Sequence, residues 1–207
     1  YLSYDLKNEL EALSSENWDG IGTPHLSFFI PRYVLLLKRN ELIVLSHESK
    51  KKCSFFLSSL TLIEQEIVWD VNIKPRETKG EYLNKIKDIK SHIQRGDIYE
   101  MNYCQEYYAE NVDLVPSVIF NQLTKHTTTP FSAFLKLKEL HVMCTSPERF
   151  IKKSENRIIS QPIKGTRKRG GSKVLDDELV DELKRSDKEI SENVMITDLV
   201  RNDLSIT

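Results

Sequence analysis

Strands and helices grouped in blocks, an α+β fold, is what this sequence predicts, and three patterns carry that prediction. Apolar residues alternate at period two over 97–110 and in short runs over 26–46 and 131–145. They recur at helical spacing over 78–94 and 186–204. Polar turns separate consecutive strand runs, so strands follow strands rather than alternating with helices.

Residues 26–30 and 33–37 read as strands, the second turning through Lys38-Arg39-Asn40 into 42–45. Residues 50–66 fit a helix with Phe55, Phe56, Leu60 and Ile63 on a shared face. The pattern sharpens at 78–94. Thr78 and Glu81 spell a capping box, Tyr82, Ile86, Ile89 and Ile93 keep helical spacing, and Gly96 supplies the stop. Over 97–110, Tyr99, Met101, Tyr103, Tyr107 and Ala109 form one face of an expected strand. Glu100, Asn102, Cys104 and Glu106 form the other. Pro116 opens a short helix with Ile119 and Leu123 inward. Strands over 131–138 and 140–145 lead into Ser146-Pro147-Glu148, and a further strand over 157–163 delivers Lys164 at its end. Helices over 174–185 and 186–204 follow, the second opened by Ser186 and Glu189 as a capping box.

Bulk composition narrows the function. The 207 residues carry 30 Lys and Arg against 31 Asp and Glu, a formal net charge of −1, which argues against wholesale nucleic-acid binding. A 39% hydrophobic content excludes general disorder, and no apolar run reaches membrane-spanning length. Cys53, Cys104 and Cys144 are odd in number and widely spaced, as expected of reduced thiols in a cytoplasmic protein. The chain opens at Tyr1 without a signal-peptide pattern and stops after a strongly patterned helix, so the expectation is the middle of a longer protein.

Three residues stand out for chemistry. Lys164, in Gln161-Pro162-Ile163-Lys164-Gly165-Thr166-Arg167, sits between an apolar strand and a glycine. It is a candidate nucleophile, or a plain strand-end charge. A nucleophilic amine must be neutral, and an ordinary lysine is less than about 0.1% neutral at pH 7. Nearby cations disfavour an ammonium, and Arg167, Lys168 and Arg169 follow closely. Glu148 sits on a rigid turn after Pro147, suited to proton transfer or to pairing with Arg149 or a lysine. Glu192 projects among Met195, Ile196 and Leu199, with Asp203 on the same side. A carboxylate in an apolar sector either pairs, with Arg149 or Arg169, or binds a metal. An oxygen donor set with few protein ligands suits Mg²⁺. The basic stretch 164–171 suggests a phosphate or RNA loop, but it lacks the GxxxxGK[ST] spacing and interleaved aromatics.

The segments Gly96-Asp97-Ile98-Tyr99, Pro130-Phe131-Ser132-Ala133-Phe134, Ser146-Pro147-Glu148-Arg149-Phe150, Pro162-Ile163-Lys164-Gly165-Thr166-Arg167 and the run from Glu192-Asn193-Val194 through Arg201-Asn202-Asp203-Leu204 occur here in sequence. In that order they resemble the chorismate-utilising enzymes, from about Gly80 to the chain's end and more loosely over residues 1–6. The resemblance implies that family's layered α+β sandwich of mostly antiparallel sheets flanked by helices, as in anthranilate synthase component I. Residues 1–75 would be a remnant of its N-terminal part, and 76–207 the start of the chorismate-binding catalytic region.

Lysine at position 164 is typical of the aminodeoxychorismate synthase component I branch, where anthranilate synthases usually carry alanine. The implied reaction converts chorismate and ammonia to 4-amino-4-deoxychorismate for para-aminobenzoate and folate synthesis. Lys164 would be the nucleophile, Glu148 the general acid and Glu192 a Mg²⁺ ligand, with Gly165, Thr166 and Glu100 handling substrate or incoming nucleophile. Ammonia would come from a glutamine amidotransferase subunit. Pro130, Phe131 and Ser132 match part of the family's tryptophan-binding site. Glu100 departs from the pattern, since amino-transferring members usually carry glutamine there and water-adding members lysine. The family's substrate-carboxylate segment and second metal-binding glutamate fall beyond Thr207, so these residues alone are expected to form an incomplete, inactive site. Anthranilate synthase component I and a non-catalytic relative that binds an aromatic ligand remain alternative readings.

Overall fold

Thr78 and Gly96 bracket the helix whose limits are most sharply set. In the computed structural model, which describes residues 1–61 and 69–205, the Thr78 side chain accepts from the Glu81 backbone N–H and the Glu81 carboxylate accepts from the Thr78 N–H. Gly96 takes a left-handed φ of 79° and closes the far end, as the capping pattern predicts. The chain divides into two compact units, Tyr1–Glu64 with Lys136–His141, and Gln65–Leu135 with Val142–Thr207.

The first unit holds α1 (Leu6–Leu10), the antiparallel pair β1 (Val34–Lys38) and β2 (Glu41–Leu45), and α2 (Lys50–Ser58). The β1–β2 turn is Arg39-Asn40, with Arg39 at φ 56°. Glu48, ahead of α2, accepts from Arg32 Nε and Lys52 Nζ, both at 2.8 Å. Phe56 on α2 stacks on Tyr33 with ring centroids 4.1 Å apart. Two expectations fail here. Residues 26–30 form no strand, only a single bridge between Leu26 and Leu2. The helix over 50–66 stops at Ser58, because the Ser58 and Ser59 hydroxyls turn back onto the carbonyls of Ser54, Phe55 and Phe56. Its expected last turn, including Ile63, lies outside the described residues.

The second unit begins with the short pair β3 (Lys74–Pro75) and β4 (Tyr107–Tyr108), with α3 (Lys79–Arg95) between them in sequence. Helix α4 (Pro116–His126) carries Val118, the fully buried side chain among the described residues, and its Phe120 meets Phe134 at 5.5 Å. Two hairpins follow in sequence, β5 (Phe131–Leu137) with β6 (Leu140–Ser146), whose tip Lys136–His141 is counted with the first unit, and β7 (Arg149–Ser154) with β8 (Arg157–Gln161). Each turns on two residues, the first left-handed: Lys138 at φ 54° and Glu155 at φ 53°. The chain ends in α5 (Lys173–Arg185) and α6 (Asp187–Ser205).

Four two-stranded sheets with six helices among the described residues make this an α+β chain. The strand expected over 97–110 is corrected to the two residues of β4. Period two sets which side chains share a face, but a strand also needs a partner ladder, and this segment is tied mostly through side chains. Tyr103 donates its hydroxyl to both Glu77 carboxylate oxygens at 2.7 and 2.6 Å, and Arg76 forms a two-pronged pair with Glu106 at 2.9 and 3.0 Å. Cys53, Cys104 and Cys144 are free thiols, and no described helix is long and apolar enough to cross a membrane.

Candidate active site

The β7–β8 hairpin builds the site by register. Arg149 pairs with Gln161, so Glu148, just before β7, and Pro162-Ile163, just after β8, emerge at the same end. Arg149 Nε donates to Gln161 Oε1 at 2.7 Å, and the guanidinium lies 4.7 Å over the Phe131 ring. Phe131 therefore supports this hairpin end, while its neighbour Ser132 shares a 3.1 Å hydroxyl contact with Thr129, beside Pro130.

Glu148 Oε1 accepts from the Ile163 backbone N–H at 3.1 Å. Its own N–H donates to Ser146 Oγ, whose hydroxyl is 3.2 Å from the Glu148 carbonyl, so the turn holds itself. Lys164 follows Ile163, three residues past the end of β8 rather than directly after the strand. Its Nζ lies 3.2 Å from Glu100 Oε1, and both side chains are largely shielded, at 22% and 29% exposed. Glu100 sits four residues after Gly96, so the cap of α3 positions it. The expected neighbours of Lys164 were the cations after it and the Glu148 carboxylate. Arg167 and Arg169 are paired with acids elsewhere, and the charge that meets Lys164 is the Glu100 carboxylate.

Gly165 takes φ 80°, a conformation that favours glycine, and a Cβ there would run into the Glu189 carboxylate. Arg167 reaches Glu189 Oε1 and Glu182 Oε1, each at 3.4 Å, and donates to the exposed Thr166's carbonyl at 3.2 Å. Arg169 clasps Asp176 on α5 through two bonds of 2.7 and 2.5 Å, and the Gly170 N–H adds a third at 2.9 Å. The Arg169 guanidinium, aided by that N–H, pulls the Asp176 carboxyl down to about 2. The basic loop is thus pinned by acids of α5 and α6 rather than open for a phosphate.

A cavity of about 580 Å³ is lined by Asp97, Ile98, Tyr99 and Glu100 from the loop after α3, and by Met195, Ile196 and Leu199 together with Asp198, Arg201 and Asn202 of α6. Glu192, one turn earlier on α6, is 37% exposed, with Lys188 Nζ 3.8 Å away. The alternative pairing of Glu192 with Arg149 or Arg169 does not occur, because those guanidiniums are engaged at Gln161 and Asp176. The structure thus brings Lys164, Glu148, Glu100 and Gly165 together, and places Glu192 on the helix whose next turn lines the Glu100 cavity. Among the described residues, no group of three or more His, Cys, Asp or Glu is placed to hold a metal ion.

Sequence reading missed Glu189 and Asp176. Glu189 reads as the third residue of a capping box, and its N–H does lie 3.5 Å from Ser186 Oγ, but its carboxylate serves Arg167. The available signal was the basic run 167–169 facing two acidic helix starts.

A family model described as chorismate binding enzyme matches residues 1–207, including the stretch before Gly80 that the motifs reach only loosely. Aminodeoxychorismate synthase component 1 of Escherichia coli (strain K12) is 31% identical over 170 residues, covering 79% of this chain and 36% of that protein. Anthranilate synthase component 1 of Lactococcus lactis subsp. lactis (strain IL1403) is 29% identical over 186 residues, 82% of this chain and 41% of that protein. Aminodeoxychorismate synthase of Streptomyces griseus is 38% identical over 100 residues, 47% of this chain and 14% of that protein. The chain therefore spans well under half the length of these relatives.

Proposed function

Since the chain belongs to the chorismate-binding enzyme family, we propose that it serves as the synthase component converting chorismate and ammonia to 4-amino-4-deoxychorismate. Identity to the two kinds of synthase is nearly equal, 31% and 29%, so the whole-chain likeness does not choose the product. Residue 164 chooses it in this reading. The carrying observation is that Lys164 stands on a pinned loop, with Glu148 bonded to the residue before it.

The reaction runs in two displacements. Lys164 Nζ, as a free amine, bonds to C2 of chorismate while the C4–O bond breaks. Glu148 gives its proton to the departing hydroxyl, which leaves as water. Ammonia then bonds to C4, the C2–N bond breaks, and its electron pair returns to Nζ. The proton shed by the new amine restores the Glu148 acid. One difficult exchange becomes two easier ones.

Gly165 lets the loop turn, and Thr166 and Glu100 flank the space where substrate and ammonia would meet. Pro130, Phe131 and Ser132 belong to the tryptophan-type subsite in this reading. Glu192 supplies one carboxylate of the one or two that Mg²⁺ takes, and the described residues offer no fuller donor set. Bound there with substrate, the ion would neutralise a ring carboxylate. The name "component 1" carried by the relatives supports a separate subunit supplying ammonia from glutamine. Free thiols favour a reducing compartment, the cytoplasm. The hairpins and helices are compatible with the family's layered sandwich, with residues 1–75 and 76–207 as its successive parts.

The test is mass spectrometry of the native protein quenched during incubation with chorismate, Mg²⁺ and ammonium. A substrate-derived mass on the peptide carrying Lys164, absent in Lys164→Ala, is expected. No adduct, together with full activity of the alanine variant, overturns the assignment.

A further inference from the structure

The Lys164–Glu100 pair is more than a neighbourly contact, and three observations give it a role. At 3.2 Å, with 22% and 29% of the side chains exposed, it is screened less by salt than a surface pair. The surrounding charges are already committed: Arg167 to Glu182 and Glu189, Arg169 to Asp176, and Glu148 to the Ile163 N–H. Glu100 is also anchored from behind. It follows the left-handed cap at Gly96, where Gly96 N–H and Asp97 N–H bond back to α3 carbonyls. The Asp97 carboxylate is held in turn by Arg95 at 3.1 Å.

The contact pairs a carboxylate with an ammonium, and an ammonium has no lone pair to attack with. We infer that Glu100 is a positioning residue that aims Lys164 and holds it as a paired, unreactive ammonium until the carboxylate lets go. The cavity that Glu100 also lines gives that carboxylate room to move away. A neutral amide at position 100 would still hydrogen-bond the amine but would not favour its charged form. The consequence for catalysis rests on Lys164 being the nucleophile of the proposed reaction, but the pair itself is tested without chorismate.

The probe is N-succinimidyl acetate, a neutral acylating reagent, applied to the native protein, with acetylation of each lysine followed by peptide mass spectrometry. Lys168, exposed in the same loop, is the internal reference. In wild type, Lys164 is expected to react about tenfold or more slowly than Lys168. Glu100→Gln is expected to speed Lys164 by about tenfold or more while leaving Lys168 unchanged, and Glu100→Asp, which keeps the charge, to stay near wild type. A merely structural contact would not give rescue by charge. An unchanged Lys164 rate in Glu100→Gln overturns the inference. If Glu100→Gln accelerates every lysine together, it has unfolded, and the wild-type ratio decides: equal rates for Lys164 and Lys168 overturn the inference. Slow Lys164 labelling released by Glu100→Gln, with no chorismate adduct, would sink the proposed reaction and leave the pair standing. An adduct with no such release would do the reverse.

Discussion

Glu148 Oε1 accepts a hydrogen bond from the Ile163 N–H at 3.1 Å, which ties the carboxylate before β7 to the residue immediately before Lys164. The hairpin register makes this tie, since Arg149 opposite Gln161 leaves Glu148 and Ile163 as the next residues off each strand's end. Glu148 and Lys164 are therefore set relative to each other by backbone, through the bond from the Ile163 N–H.

Two substitutions separate the chemical from the structural role of Glu148. Glu148→Gln keeps an oxygen to accept from Ile163 but loses the acidic proton. In the proposed reaction, its rate of 4-amino-4-deoxychorismate formation should fall about 10²- to 10⁴-fold with the fold intact. Glu148→Ala loses the tie as well, and the Lys164 adduct should become scarcer than in the glutamine variant. A glutamine variant turning over at the wild-type rate would remove Glu148 from the acid role.

Gly165 carries a prediction for stability. At φ 80°, any L side chain is strained by about 1–2 kcal/mol. The added Cβ of Gly165→Ala also displaces the Glu189 carboxylate and with it the Arg167 pair. Thermal melting should drop by about 2–4 °C for each kcal/mol lost. Placing Gly165→Ala in a Glu189→Ala background removes the clash with the carboxylate and leaves the backbone strain and a 3.2 Å contact with the remaining Cβ, so the alanine should cost less there. Equal costs in both backgrounds would mean the Glu189 contact is not made.

Much of the fold was legible because its signals were local. The Thr78–Glu81 box, Gly96 and Pro116 each act within a turn of the chain, and each lies where the sequence places it. Helix 50–66 and strands 26–30 and 97–110 failed for a shared reason. Periodicity reports faces, while hydroxyls such as Ser58 and Ser59, or the absence of a ladder partner, decide where an element exists. At the site, a register read from sequence would have placed Glu148 beside Ile163. The Glu100 partner of Lys164 could not be read that way, because the two lie 64 positions apart on segments that share no ladder.

The Arg169–Asp176 clasp should make stability depend on pH in acid. Asp176 binds its proton less readily folded, at about 2, than its ordinary value of 3.8. Its contribution is therefore present above about 3.8 and is lost as pH falls towards about 2. The gap in urea midpoint between wild type and Asp176→Asn should be constant from pH 7 to pH 5, then narrow through that window. A gap that keeps its full size at the acid end would show that Asp176 acts by shape rather than charge.

The final prediction concerns Glu192 and the cation beside it. Lys188 Nζ lies 3.8 Å from Glu192 Oε1 across one helical turn, with the lysine 77% exposed. Such exposed pairs are worth about 0–1 kcal/mol, so Lys188 is easily displaced. A divalent ion taking Glu192 must compete with that ammonium and is repelled by it. If Glu192 is a Mg²⁺ ligand, Glu192→Gln should weaken Mg²⁺ activation by about tenfold or more. Lys188→Ala should change it in the opposite direction, tightening Mg²⁺ activation by a few-fold, since it removes a competing positive charge without touching a donor. Titrating turnover with Mg²⁺ at saturating chorismate reads both, and stripping the ion with a chelator should abolish activity in all three proteins until Mg²⁺ is restored. Should Glu192→Gln and Lys188→Ala shift the Mg²⁺ dependence in the same direction, the pair acts on helix α6 as a whole. The metal ligand would then have to be sought elsewhere.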